Sequence, residues 1–319
     1  MVKISFLVTY YNQQQYVKDS LGSIFALDIP CDFEILVGDD GSDDNTLIEV
    51  AKYQEKFPDK ISIYQMPRSL GKNYNIIHRA SANRINLVKH ATGDYVCFLD
   101  GDDFYVSKDY IKIALDNFAH YNNIIGAAFN FRYIFQDKER DFTNIPNNGI
   151  LESKQYVLKY YTPSGAILFK NIFDSEKIKI LEKCKNFDDN LITIYMSQFG
   201  NFYFNNKIIY GYRQLQNSTW NSYTNAEQNL LNALDFEIIS KVAPNMKKFL
   251  FKRQYKSIKF LWKNRNRLEE LLSKEKIDFY IKGNEICQES LIQDIINWKN
   301  LSTTQKIKLF ILYLKSYLL

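Results

Sequence analysis

Residues 95 to 103 read Tyr95-Val96-Cys97-Phe98-Leu99-Asp100-Gly101-Asp102-Asp103, an apolar run that passes directly into a cluster of acidic residues. An earlier stretch has the same design and reads Glu34-Ile35-Leu36-Val37-Gly38-Asp39-Asp40-Gly41-Ser42. Short apolar runs that end at glycine and aspartate are typical of buried strands. Further strands and helices of this half are predicted at residues 4–9, 17–25, 44–51, 61–64 and 75–90. This alternation predicts an α/β domain with a mostly parallel sheet.

The two acidic clusters begin where a predicted strand ends, at Asp39 and at Asp100. In an open α/β sheet, ligands bind beside the carboxyl ends of the strands. Each acidic cluster taken alone is most often a turn followed by a helix cap. Asp43 or Asp44 is a candidate N-cap for the second predicted helix. Their joint occurrence favours a ligand site. Clustered carboxylates repel one another, and a bound divalent cation offsets that repulsion.

The rest of the chain has a less regular pattern. Strands are predicted at 124–134 and 166–169 and a short helix at 153–161, and Asp188-Asp189 opens an amphipathic helix that Gly200 is expected to end. After about residue 224 the pattern is helical and basic. We therefore expect a catalytic domain over residues 1–222 and a helical region over residues 223–319.

The net charge of +5 is unevenly distributed, because residues 241–319 contain 17 basic and 7 acidic side chains. Such a basic, aromatic segment predicts either an anchor on an anionic membrane surface or a solvated helical bundle. It accompanies no recognised nucleic-acid-binding module, so nucleic acid is not an expected partner. The sequence has no 18-residue apolar run, and its first residues do not resemble a secretory signal, so a cytoplasmic location is expected. Widely spaced cysteines predict reduced thiols: Cys31, Cys97, Cys184 and Cys287.

Four stretches together resemble the family 2 glycosyltransferases, over about residues 1 to 220. They are Thr9-Tyr10-Tyr11-Asn12, residues 34–42, residues 91–103, and Tyr210-Gly211-Tyr212-Arg213 with Ser218. The resemblance implies a glycosyltransferase-A fold with a mostly parallel central sheet, followed here by a C-terminal helical region. It also implies a nucleotide-sugar donor, a divalent metal (Mn²⁺ or Mg²⁺) and inversion at the anomeric carbon.

The resemblance also assigns donor-binding residues. Thr9, Tyr11 and Asp40 would contact the nucleotide base, and an acid that accepts from a uracil N–H favours a UDP-sugar. Asp102 and Asp103 would hold the ribose and the metal, and Asp100 belongs to the same D-x-D motif. This family usually has Arg-Asn followed by Gly before the fourth strand, and here only Arg84 keeps that register.

An inverting transfer needs a general base for the acceptor hydroxyl. In the family this base is an acid at the start of a late helix, which corresponds to Asp189 or, as second choice, Asp188. The alternative is that both acids only cap the helix. Arg213 is expected to bind the diphosphate or the acceptor, or else to form a structural ion pair.

The resulting hypothesis is a hexosyl- or N-acetylhexosaminyltransferase that acts on a saccharide or lipid-linked glycan in capsule, lipooligosaccharide or other surface-glycan synthesis. Such an enzyme would be peripheral on the cytoplasmic face of the inner membrane. A sugar-nucleotide-forming nucleotidyltransferase is a second hypothesis, although Thr9-Tyr10-Tyr11-Asn12-Gln13 lacks the glycine-rich basic loop expected after the first strand. A third is an inactive carbohydrate-binding relative, against which the intact acids argue.

Overall fold

The computed structural model describes residues 2–69, 75–183, 186–215, 223–273 and 291–317. Two compact units divide them. The first contains residues 2–182 and 187–215, and the second contains residues 183 and 186 and the described residues from 223 onward. The expected domain boundary at residue 222 lies in the stretch 216–222, outside the described residues, so it stays a prediction.

A single sheet organises the first unit. Its strands are β1 Lys3–Tyr10, β2 Asp32–Asp39, β3 Ile61–Gln65, β4 Tyr95–Asp100, β5 Phe104–Tyr105, β6 Ile124–Ile134, β7 Glu139–Asp141, β8 Gly149–Leu151, β9 Ile167–Lys170 and β10 Asn201–Arg213. They lie in the order β3-β2-β1-β4-β9-β6-β10-β5, with β7 beside β6 and β8 beside β10. The strands predicted from apolar runs are therefore confirmed.

Most strands of the sheet run in one direction. β1, β2, β3 and β4 are mutually parallel. Because β9 is antiparallel to both β4 and β6, and β10 is parallel to β6, β6 and β10 run in the same direction as β4. The carboxyl ends of these six strands therefore lie along one edge of the sheet, which we call the carboxyl edge.

The helices of the first unit pack against this sheet. They are α1 Val17–Phe25, α2 Thr46–Lys56, α3 Ile76–His90, α4 Tyr110–His120, α5 Ser153–Lys159, α6 Ser175–Glu182 and α7 Asp189–Met196. Two expectations are corrected. The N-cap of α2 is Asn45, and Asp44 instead accepts a bond from the Thr46 N–H at 2.9 Å. Helix α7 ends at Met196 rather than at Gly200, since Gly200 packs against β6.

Strand β10 is irregular in its pairing with β6. Its register shifts between Asn201 and Phe202, between Asn205 and Ile208 and between Ile208 and Tyr210. The polar residues between Asn205 and Ile208 interrupt the apolar pattern, which is why the sequence did not predict this strand. Beyond the last shift, Tyr210 pairs with Phe131 and Tyr212 with Tyr133.

The second unit is helical, as the sequence predicts. Its helices are α8 Asn225–Val242, α9 Lys247–Asn264, α10 Leu268–Leu271, α11 Leu291–Ile296 and α12 Thr303–Tyr317. A capping box between Thr224 and Glu227 begins α8. Leu250, Ile258 and Leu261 of α9 are buried. None of the described helices is long and apolar enough to cross a membrane.

Candidate active site

The acidic turn 100–103 packs closely against β1. The Gly101 N–H donates to the Thr9 carbonyl at 2.9 Å, and the Asp103 N–H donates to the Asp100 carbonyl at 2.9 Å. A Cβ at position 101 would collide with the buried ring of Tyr10, so only glycine fits between the acids. The turn is therefore held at the carboxyl edge, beside the end of β1.

Asp103 lies inside the fold. One carboxylate oxygen accepts from the Tyr210 hydroxyl at 2.7 Å and the other from the Arg213 backbone N–H at 2.7 Å. Burial and the neighbouring Asp102 carboxylate raise the pKa of Asp103 well above its usual value. Both oxygens are thus engaged with β10, and the assignment of Asp103 as a metal ligand stays a prediction.

Asp102, like Asp100, is a partly exposed acid of this turn. Its carboxylate makes no hydrogen bond to another residue within the described parts of the chain, although Arg213 donates to its backbone carbonyl. Burial, together with the nearby Asp100 carboxylate, raises the pKa of Asp102 to about 6. A carboxylate that lacks a protein partner beside a second acid is suited to bind a cation.

Three expected donor-site residues come together at the end of β4. The Arg84 guanidinium donates to both oxygens of Asp100, at 2.6 and 2.8 Å, and the Thr9 hydroxyl donates to the same carboxylate at 3.2 Å. Arg84 also donates to the Phe187 carbonyl at 3.3 Å, just before α7. Arg84 therefore connects α3, the acidic turn and the segment that carries the candidate base.

The structure gives Asp188 and Asp189 different surroundings. Asp188 is the N-cap of α7, and its carboxylate accepts from the Leu191 N–H at 2.8 Å. Asp189 accepts from the Ser164 hydroxyl at 2.5 Å and the Tyr161 hydroxyl at 3.2 Å. Burial raises the pKa of Asp189, and the positive charge of Arg84 opposes that rise. Asp188 thus caps the helix and Asp189 contacts Ser164 and Tyr161, and the assignment of Asp189 as the general base stays a prediction.

Asp40 is paired with arginines that the sequence reasoning missed. Its buried carboxylate forms ion pairs with Arg68 and with Arg79, the latter at 2.5 Å. The Arg68 guanidinium also lies 3.8 Å from the ring centroid of Tyr11, an exposed side chain at the carboxyl edge. Both arginines are distant from Asp40 in sequence and neither lies in a recognisable motif, so the sequence did not indicate these ion pairs. The expected base-contacting residues Tyr11 and Asp40 thus share one cation.

Arg213 is held within the fold. Its guanidinium donates to the Asp102 carbonyl and pairs with Asp19 of α1. It also lies over the rings of Tyr16 and Phe104, at 4.8 and 4.6 Å. The structural ion pair considered for this residue is therefore present, and contact with a diphosphate or an acceptor stays a prediction.

No three His, Cys, Asp or Glu side chains of the described residues come together in a way that could hold a metal ion by themselves. Mg²⁺ is commonly held by one or two carboxylates together with substrate phosphates, rather than by a complete protein cage. The partly exposed Asp102 carboxylate is suited to be one of these carboxylates.

The carboxyl edge thus carries a cluster of acids, and Arg84 connects Asp100 of this cluster to the segment that precedes the candidate base Asp189. Residues 5–176, more than half of the chain, match the family model described as glycosyl transferase family 2. The chain belongs to this family.

Two curated relatives show the range of similarity. Poly(ribitol-phosphate) beta-N-acetylglucosaminyltransferase TarS of Staphylococcus aureus is 35% identical over 116 residues, which are 36% of this chain and 18% of TarS. The GalNAc(5)-diNAcBac-PP-undecaprenol beta-1,3-glucosyltransferase of Campylobacter jejuni is 28% identical over 203 residues, which are 56% of this chain and 62% of that enzyme. The matches thus span less than two thirds of either relative.

Among solved structures, residues 1–349 of S. aureus TarS in complex with UDP match with a TM-score of 0.58 and 16% identity. The match covers 99% of this chain and 91% of that one. A likeness at this identity shows the fold, so the expected glycosyltransferase-A fold with a mostly parallel sheet and additional helices is confirmed.

The contact of Arg84 with the site predicts a change in the proton affinity of Asp189. Replacing Arg84 with Met removes a positive charge that favours the ionised carboxylate, so the pKa of Asp189 should rise further above its usual value. A carboxyl ¹³C NMR titration measures this value. Arg79→Met, on the same helix but paired with Asp40, is the matched control and should leave Asp189 unchanged. An unchanged or lowered Asp189 pKa in Arg84→Met would contradict the assignment.

Proposed function

We propose that this chain is an inverting glycosyltransferase that moves a sugar from a nucleotide-sugar donor, a UDP-sugar, to a hydroxyl of a saccharide acceptor. The observation that carries the proposal is the placement of Arg84, which clamps Asp100 of the D-x-D turn and also donates to the segment that opens α7 at Asp189. One cation therefore connects a donor-binding acid to a candidate base. Family membership supports the same reaction class.

The donor would bind along the ends of β1, β2 and β4. Thr9, Tyr11 and Asp40 would contact the base, and the crystal structure of TarS with UDP supports a uridine nucleotide. Arg68 would supply a cation beside the Tyr11 ring. Arg213 orients the Asp102 backbone through its hydrogen bond to the carbonyl.

Asp102 would hold a Mn²⁺ or Mg²⁺ ion, and Asp103 would fix the turn that presents it. When bound, such an ion stabilises the negative charge that develops on the nucleoside diphosphate as it leaves. Asp100 is kept in place by Arg84 and Thr9. Its carboxylate is thereby engaged with protein groups, whereas the Asp102 carboxylate makes no hydrogen bond to another of the described residues.

Asp189 would act as the general base. Its carboxylate takes the proton of the acceptor hydroxyl while that oxygen forms a bond to the anomeric carbon. The bond from this carbon to the diphosphate oxygen breaks, and its electron pair leaves with the diphosphate. Attack opposite to the leaving group inverts the anomeric centre. Ser164 and Tyr161 hold the carboxylate in place, and its raised pKa makes it a stronger proton acceptor.

The acceptor would be a saccharide or lipid-linked glycan of the cell surface. The names of the relatives support this class, because they describe transfer to poly(ribitol-phosphate) and to an undecaprenol-linked glycan. The sugar transferred would be a hexose or an N-acetylhexosamine, as in those names. Capsule or lipooligosaccharide synthesis are specific forms of this proposal.

A peripheral position on the cytoplasmic face of the membrane would suit such an acceptor. Helix α9 exposes Lys256 and Lys263, and α12 exposes the apolar side chains Ile307 and Phe310. Basic residues near an anionic leaflet each contribute about 1 kcal/mol, and exposed apolar residues can insert at its surface.

The choice between the two neighbouring acids predicts a clear difference in activity. Asp189→Asn keeps the side-chain shape and removes the proton acceptor, so transfer should fall roughly 10²- to 10⁴-fold while UDP binding persists. Asp188→Asn is the matched control, because asparagine caps a helix about as well as aspartate. Release of UDP from UDP-glucose and UDP-N-acetylglucosamine with an acceptor measures transfer. Full activity in Asp189→Asn would place the base elsewhere.

The environment of Asp102 predicts that nucleotide binding depends on a divalent cation. By calorimetry, UDP should bind the native protein about tenfold or more tightly with Mn²⁺ than with EDTA, a difference of about 1.4 kcal/mol. Asp102→Asn should bind weakly and equally in both conditions. Asp116→Asn, an exposed acid on α4, should behave as the native protein. Equal native affinity with Mn²⁺ and with EDTA would rule out the metal.

The membrane proposal predicts salt-sensitive binding to vesicles. The protein should co-sediment with phosphatidylglycerol vesicles at 0.1 M salt and release at 1 M, because the Debye length falls from about 10 Å to about 3 Å. Lys256→Gln with Lys263→Gln should weaken this binding, whereas Lys52→Gln on α2 should not. Lys248, Lys252 and Arg253 belong to the same basic segment, but their side chains lie outside the described residues. Equal binding to neutral phosphatidylcholine vesicles would reject an electrostatic attachment.

A further inference from the structure

A hairpin of β6 and β7 carries a row of aromatic side chains at the carboxyl edge. Tyr133 pairs with Arg140 across the hairpin, and the Phe135 N–H donates to the Lys138 carbonyl at 2.9 Å to close the turn. Side chains two residues apart on a strand share a face. Phe131 and Tyr133 thus lie on one face, next to Tyr212 of β10, and Phe135 follows at the turn.

The rings of this row are in contact from the core outward. Phe131 is buried, and its ring centroid lies 5.2 Å from that of Tyr133 and 6.1 Å from that of Tyr212. The centroids of Tyr133 and Tyr212 are 5.9 Å apart, and those of Tyr133 and Phe135 are 6.2 Å apart. Tyr133, Phe135 and Tyr212 are each partly exposed. We call these three side chains the aromatic row.

The aromatic row leads to the candidate base. The Phe131 ring also contacts Tyr161, with centroids 6.0 Å apart, and the Tyr161 hydroxyl donates to Asp189 at 3.2 Å. Burial and the nearby charge of Asp189 raise the pKa of both Tyr161 and Tyr212, so both tyrosines lie near this acid. Asp189 is thus contacted by Tyr161, which connects it to the aromatic row through Phe131, and the positive charge of Arg84 also acts on it.

Charged side chains border the aromatic row. The guanidinium of the exposed Arg140 lies 5.2 Å from the ring centroid of Tyr133 and 5.7 Å from that of Phe135. Arg132 pairs with Glu139 and Asp141 on the same hairpin. Partly exposed aromatic rings beside hydrogen-bonding groups match a pyranose ring, which has an apolar C–H face and a hydroxyl-bearing edge.

We propose that the aromatic row is the acceptor subsite, on which a sugar ring of the saccharide acceptor stacks so that its hydroxyl reaches Asp189. This inference rests on the proposed transferase function and adds the surface that selects the acceptor. The donor residues lie at the ends of β1, β2 and β4, whereas the row lies at the ends of β6 and β10. Donor and acceptor would therefore approach Asp189 from different sides.

Saturation-transfer NMR on the UDP-loaded full chain tests the proposal. The probes are methyl β-glycosides of glucose, galactose and N-acetylglucosamine. At least one should bind the native protein, and Tyr133→Ala and Phe135→Ala should each weaken it about tenfold, as expected when an aromatic contact at the centre of a site is truncated. Tyr133→Phe, which keeps the ring, should restore binding. Phe135 lies at the hairpin turn, so its variant tests the row should Tyr133→Ala fail to fold.

A second aromatic pair of the same unit provides the control. Tyr203 of β10 stacks on Tyr121 with centroids 5.2 Å apart, near the opposite ends of β6 and β10. Tyr203→Ala should leave glycoside binding unchanged. If no probe binds the native protein, or if Tyr133→Ala and Phe135→Ala bind as the native protein does, the subsite is overturned. UDP affinity, measured alongside, should be equal in all variants. Failure of the native protein to bind UDP would instead overturn the proposed function.

Discussion

The buried carboxylate of Asp103 is the interaction on which the arrangement of the site depends. A carboxylate in the interior is costly unless its oxygens accept hydrogen bonds, and here Tyr210 and the Arg213 N–H supply them. These bonds join the turn after β4 to the end of β10, two strands that are not neighbours in the sheet. Gly165 lies so close to the Tyr210 ring that a Cβ there would collide with it. The acidic turn, β9 and β10 are consequently fixed to one another, and Asp102 is presented at a defined position.

The sequence predicts the strands and helices whose side chains follow a simple pattern. β1, β2, β3 and β4 are short apolar runs ended by polar residues, and α1 has regular apolar spacing. β10 was not predicted, because its bulge places polar residues within the strand. The order of β9, β6 and β10 in the sheet also could not be predicted, since it depends on pairing between segments that are distant in sequence.

The site was predictable to the extent that it follows motifs. The acids at positions 100, 102 and 103 are recognisable in the sequence. The sequence does not show that Asp103 is the one whose two carboxylate oxygens accept hydrogen bonds in the interior. Asp188 and Asp189 are adjacent, and only the start of α7 shows that Asp188 caps the helix while Asp189 contacts Ser164 and Tyr161. The ion pairs of Arg68 and Arg79 with Asp40 could not be predicted, because folding brings together residues that are distant in sequence.

The bulge in β10 has a consequence for how this chain can vary during evolution. A shift of one residue in a strand turns every following side chain to the opposite face. Downstream of the bulge lie Tyr210, Tyr212 and Arg213, which serve the acidic turn and the aromatic row. Substitutions at Asn206 or Lys207 do not change the face of the sheet on which these side chains lie. An insertion or deletion of a single residue between Asn205 and Ile208 moves them to the opposite face. Length, rather than composition, is therefore the property that selection must preserve in this segment.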